Sequence, residues 1–130
     1  MSNKSKPVWL DRRVAKPAPY LMLCLNSTEL GKVARKLLGA KLIFPLYGAV
    51  CHTFSSPDTS DICAIISLSE QAQKKCTSLE ITGLLIHEAV HVWQAYLEDM
   101  GEMSPGAEQE AYAIQAIAQE LLFEYERRTL

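Results

Sequence analysis

The sequence predicts an α+β domain, a small antiparallel sheet packed on about three helices. Three observations carry this. Asn26-Ser27-Thr28-Glu29 and Thr77-Ser78-Leu79-Glu80 each read as a capping box, in which the first side chain accepts from a helical amide and the Glu reaches back. Apolar residues follow both at helical spacing. Between them, stretches 47–54 and 62–69 suit strands and flank Ser55-Ser56-Pro57-Asp58-Thr59-Ser60-Asp61, a dense turn signal, as in an antiparallel hairpin.

Residues 1–19 read as a basic arm. Lys4, Lys6, Arg12, Arg13 and Lys16 stand against Asp11 alone, and Pro7, Pro17 and Pro19 break regular structure. Residues 20–130 form one domain. The short apolar run 21–25 leads into the first helix, where Leu30, Val33, Ala34, Leu37 and Leu38 share a stripe and Gly39 ends the element. Residues 42–44 look extended and precede the hairpin. The helix opened by Thr77 runs to about Asp99, before Gly101. Leu79, Ile81, Leu85, Ile86, Val90, Val92, Trp93 and Leu97 make it apolar on most sides, as a central helix is. One stripe departs from that pattern: Glu80, Gly83, His87, His91, Gln94 and Glu98. The stripe reads either as a polar groove on a core helix or as that helix's exposed edge. Ser104 as cap and Pro105 as first helical residue open the last helix. Its apolar face carries Ala107, Ala111, Ile114, Ala118, Leu121, Leu122 and Tyr125.

Composition narrows the class. The chain has 130 residues, enough for one core, and its 48% hydrophobic and 22% charged shares are ordinary for a globular protein. A net charge of −2 gives no argument for nucleic acid or a membrane surface. No apolar stretch is long enough to span a bilayer, and 21–25 is too short and too late for a signal peptide. The expected location is therefore the cytoplasm, with Cys24, Cys51, Cys63 and Cys76 as small buried hydrophobes. None forms a C-x-x-C pair; Cys51 with Cys63 is the pairing that a hairpin would allow on oxidation. Residues 98–126 are acidic, with eight carboxylates and no base. Solvated surface explains this and the basic arm, and an arm that touches a protein partner is the sharper alternative.

The chemistry concentrates at His87-Glu88-Ala89-Val90-His91. Positions i and i+4 of a helix share a face, so the two imidazoles stand one turn apart and suit one cation. Zinc takes such nitrogens at about 2.0–2.1 Å. Glu88 is rotated by roughly 100° and suits proton transfer rather than ligation. A third donor is expected from the last helix. Glu110 lies about 60° from the centre of its apolar face and Glu108 about 100° away. A carboxylate near a buried face needs a partner, and an ion held by His87 and His91 is one.

His87-Glu88-Ala89-Val90-His91, followed after eighteen residues by Glu110-Ala111-Tyr112-Ala113, resembles the gluzincins, zinc peptidases whose third ligand is a Glu on the next helix. The resemblance covers about 79–122. It implies a minimal zincin-like domain, one zinc ion held by His87, His91 and Glu110, a metal-activated water with Glu88 as general base, and a peptide or protein substrate laid along a strand edge. A looser similarity, through the small size and His91-Val92-Trp93-Gln94, is to short H-E-x-x-H proteins of phages and prophages. The chain also departs from the family. Ile114 stands where many members carry an Asp that orients a His ligand, so Gln94, Gln115 or a backbone carbonyl would have to serve. No motif marks the family's oxyanion-stabilising residue. His52 is the first candidate for that catalytic role, with Tyr47 and Tyr112 as others. Two functions stay open: a zinc-dependent peptidase or amide hydrolase, and a non-catalytic zinc-binding or assembly protein that keeps the fold.

Overall fold

The structure, a computed structural model, describes residues 6–8, 20–55 and 62–129. Most of the expected basic arm and of the turn at 55–61 lies outside the described residues. The elements run β1 (Tyr20–Cys24), α1 (Ser27–Leu38), β2 (Ala49–Ser55), β3 (Ile62–Leu68), α2 (Glu70–Lys75), α3 (Ser78–Met100) and α4 (Ala107–Thr129). The class is α+β, as expected.

Two features differ from the expectation. The sheet has order β1-β3-β2 and is mixed: β2 pairs antiparallel with β3, and β1 pairs parallel with it. Residues 21–25, read only as a lead-in to a helix, thus supply an edge strand. A fourth helix, α2, follows β3. Ser69 caps it by accepting from the Ala72 amide at 3.1 Å.

The sheet lies between two helical layers. Leu21, Leu23, Ala64, Ile66 and Leu68 pack with Leu85, Ala89, Val92 and Trp93 of α3 and Ile117 and Leu121 of α4. Met22, Cys24 and Ile65 point the other way, onto Leu30 and Val33 of α1. β3 is therefore buried on both faces from Cys63 to Leu68, which explains its nearly unbroken apolar sequence.

Local signals set the helix ends. At α3 both halves of the capping box form: the Thr77 amide donates to Glu80 Oε1 at 2.8 Å, and the Glu80 amide donates to Thr77 Oγ1 at 3.1 Å. At α1 only one half forms. Asn26 Oδ1 accepts from the Glu29 amide at 2.9 Å, but Glu29 reaches one residue further back, to the Leu25 amide at 2.9 Å. Gly39 and Gly101 end α1 and α3 in the left-handed conformation, with φ of 60° and 71°. α4 starts at Ala107, two residues later than Pro105 suggested, with the Gly106 carbonyl accepting from the Glu110 amide at 2.9 Å.

Two further expectations are corrected. Cys51 lies opposite Ile66 and Cys63 opposite Phe54, so strand alternation puts the two thiols on opposite faces of the sheet. None of the four cysteines is in a disulfide. Glu124 departs from the solvated acidic face: it is 1% exposed and accepts from Arg127 Nε at 2.7 Å and Nη2 at 2.8 Å.

Candidate functional site

α3 and the edge strand β2 enclose an open groove of about 470 Å³. His87, Glu88, His91, Gln94 and Glu98 line it from the helix, and Ala49, Cys51 and Thr53 from the strand. His87, His91, Gln94 and Glu98 are solvent-exposed, so the polar stripe is both an exposed edge and one wall of a groove.

The two imidazoles meet at its wall. His87 Nε2 and His91 Nε2 are 3.1 Å apart, with ring planes at 75°. Gln94 Oε1 lies 3.2 Å from His91 Nδ1. With Nδ1–H donating to that oxygen, His91 Nε2 carries a lone pair directed at His87. Two ring nitrogens this close share either a proton or an ion. Nitrogens bound tetrahedrally to one zinc at about 2.0–2.1 Å stand roughly 3.3 Å apart, so the pair fits such an ion. Of the groups expected to orient an imidazole, Gln94, one turn beyond His91, is the one that contacts it.

Glu88 turns inward from the pair and is 4% exposed. Burial raises its carboxyl above the ordinary range, while the charges of His87 and His91 pull it down. Cys51 stands on the facing strand. Burial, and then the Glu88 charge, push its thiol up to about 12, so it remains protonated. The sequence pointed to Cys51 only as a disulfide partner for Cys63, not as a groove residue. Knowing that odd-numbered β2 residues face α3 would have found it.

Glu110 meets the motif helix elsewhere. Its Oε2 accepts from the Trp93 indole Nε1–H at 3.0 Å. Among the described residues, no three His, Cys, Asp or Glu side chains gather around one point. The fit to an ion therefore holds for the His pair, and the expected third donor is bound to Trp93 instead of standing with them. Glu108 is exposed.

His52 is not part of the groove. It pairs with Ile65, whose side chain belongs to the α1 side of the sheet, so alternation turns His52 away from α3. Its Nδ1 is buried without a hydrogen-bond partner, and burial holds its pKa below the usual value. The sign follows from linkage: below the ordinary histidine pKa of about 6.5, the unfolded chain takes up a proton that the folded chain resists. Stability from this residue is complete above that pH and is lost as pH falls towards the lower folded value. His52→Phe is thus expected to flatten the decline in melting temperature between pH 7 and pH 5; an unchanged slope would contradict this. Tyr47 and Tyr112 are largely exposed, outside the groove lining.

No protein-family model, curated protein or solved structure matches this chain. Among the described residues, no helix is long and apolar enough to cross a membrane.

Proposed function

We propose that the chain is a small zinc-dependent peptidase or amide hydrolase, with His87, His91 and Glu110 as metal ligands and Glu88 as general base. The observation that carries the reading is the pair of imidazole nitrogens 3.1 Å apart with a buried carboxylate on the next residue. Gln94 on His91 Nδ1 supports it further. When bound, zinc supplies Lewis-acid polarisation of a carbonyl and lowers the pKa of water. The chain's own part is positional. His91 is oriented by Gln94. The Glu88 carboxylate, held in the groove by its burial, takes a proton from the attacking water and returns it to the leaving amine. Among the described residues β2 is an edge strand beside the groove, which suits an extended peptide hydrogen-bonding to its backbone.

A second reading is a non-catalytic zinc-binding or assembly protein. The position of Glu110 favours it, because a carboxylate bonded to Trp93 already has a structural use.

Zinc content tests the ligand set. Protein purified without added metal is expected to hold about one zinc per chain. Glu110→Ala is expected to lose most of it and Glu108→Ala to keep it, by elemental analysis. A metal-free parent chain that takes up no zinc when offered it would end both zinc readings.

A further inference from the structure

We propose that the segment 41–48 and the exposed face of α1 form a peripheral membrane-binding surface. Ile43, Leu46 and Tyr47 enter an anionic bilayer, and Lys32, Arg35, Lys36 and Lys41 meet its headgroups.

The apolar part is a run, not a scatter. Of the five residues from Ile43 to Tyr47, three are large, apolar and exposed: Ile43 at 83%, Leu46 at 79% and Tyr47 at 74%. Single exposed apolar side chains are ordinary, but neighbouring ones mark a contact surface. The run is held from both ends. Leu42 and Phe44 pack against the buried cluster of Met22, Cys24, Leu30 and Ile65. At the far end, the Gly48 carbonyl accepts from the Ser69 amide at 2.8 Å. Leu42 and Phe44 therefore face the core while Ile43 between them faces out. Tyr47, with an apolar ring and a polar tip, is a residue type that favours the membrane–water interface.

The charge around the run selects the partner. Between Leu30 and Pro57 the chain carries Lys32, Arg35, Lys36 and Lys41 and no carboxylate. All four are exposed, and among the described residues none of them is in an ion pair. Arg35, Lys41 and Ile43 line one cleft of about 690 Å³, so bases and apolar side chain share one surface. The whole-chain charge of −2 averages this patch with the acidic stretch 98–126. A second copy does not suit the patch, because a two-fold contact would set the bases against themselves. Side chains this exposed project into solvent, and a fluid bilayer closes around them without a complementary pocket. Apolar insertion and attraction to anionic lipid together supply the two signals that lasting surface binding needs.

The test is co-sedimentation of the full chain with vesicles of phosphatidylcholine, alone or mixed with phosphatidylglycerol. Binding is expected to the mixed vesicles and to weaken as salt rises. Arg35→Gln with Lys41→Gln is expected to weaken it about 30-fold, at about five-fold per base. Ile43→Asn with Leu46→Asn is expected to weaken it at least about 10-fold. Thermal unfolding checks that both variants stay folded, as substitutions at exposed positions should. Tyr47→Trp reports insertion independently: the emission added by this indole is expected to move to shorter wavelength with mixed vesicles. An unmoved emission would overturn the proposal, and so would a parent chain that does not sediment with mixed vesicles. Binding indifferent to Ile43→Asn with Leu46→Asn would also overturn it, leaving an electrostatic contact alone. The basic residues Lys4, Lys6, Arg12, Arg13 and Lys16 are the necessary control. Binding lost on replacing these five with Gln, yet kept by Arg35→Gln with Lys41→Gln, would overturn the assignment to α1 and its loop. Self-association of the parent chain that Ile43→Asn with Leu46→Asn abolishes, without vesicle binding, would give the surface to a protein contact instead.

Discussion

Glu88→Gln is expected to hold zinc as the parent chain does and to cleave peptide pools about 10²–10⁴-fold more slowly. Gln has the same shape as Glu and fills the same buried position, but it cannot accept a proton. The loss would therefore be chemical. A structural role predicts the opposite pattern, with zinc content or melting temperature changed and function kept. Stability supplies an independent check. Burial raises the Glu88 carboxyl, so the folded chain keeps that proton to higher pH than the unfolded chain does. This contribution is complete below the ordinary carboxylate range and is lost as pH rises through the folded value. After chelation at neutral pH, Glu88→Gln is thus expected to melt no lower than the parent, as when a site residue is kept for function at a cost in stability. Function unaltered in Glu88→Gln would sink the hydrolase reading and favour the non-catalytic one.

The helices were the most legible part of the fold, because their signals are local. Thr77, Glu80 and Gly101 set the ends of α3 with short-range hydrogen bonds, and its apolar period needs no knowledge of the partner. β1 was not legible as a strand. Its five residues pair with a strand some forty positions away, and a short apolar run fits a strand or a buried turn of helix equally well. The six-residue α2 has too few turns to show a period. The motif imidazoles were legible as a pair because helical spacing alone brings them together. The face of His52 was not. Val50, His52 and Phe54 alternate with Ala49, Cys51 and Thr53, and neither set is clearly the more apolar, so only the neighbours of β3 decide the parity. The Glu110 contact with Trp93 depends on how α4 crosses α3, which no local pattern encodes.

The largest stability effect is expected far from the groove, at Arg128. Its side chain is 3% exposed and joins three elements. From the last turns of α4, Nη1 donates to the Leu23 carbonyl of β1 at 2.9 Å, and Nη2 is paired with Glu29 of α1. The other oxygen of Glu29 accepts from the Leu25 amide, so this carboxylate is fastened to the end of β1 as well. Removing the guanidinium leaves a largely buried carboxylate without its cation and the Leu23 carbonyl without this donor. Breaking a buried pair from one side costs about 3–5 kcal/mol. Arg128→Ala is therefore expected to lower the melting temperature by roughly 10–20 °C for a chain of this size. Arg128→Lys should recover only part of that, because one ammonium cannot reproduce the two-pronged grip on a carbonyl and a carboxylate. The decisive comparison adds Glu29→Gln to Arg128→Met. If the cost arises from a stranded charge, the double variant will be more stable than the sum of its single losses predicts, by more than about 1 kcal/mol. Additive losses would mean that the two side chains act separately and that Arg128 contributes through packing of its stem.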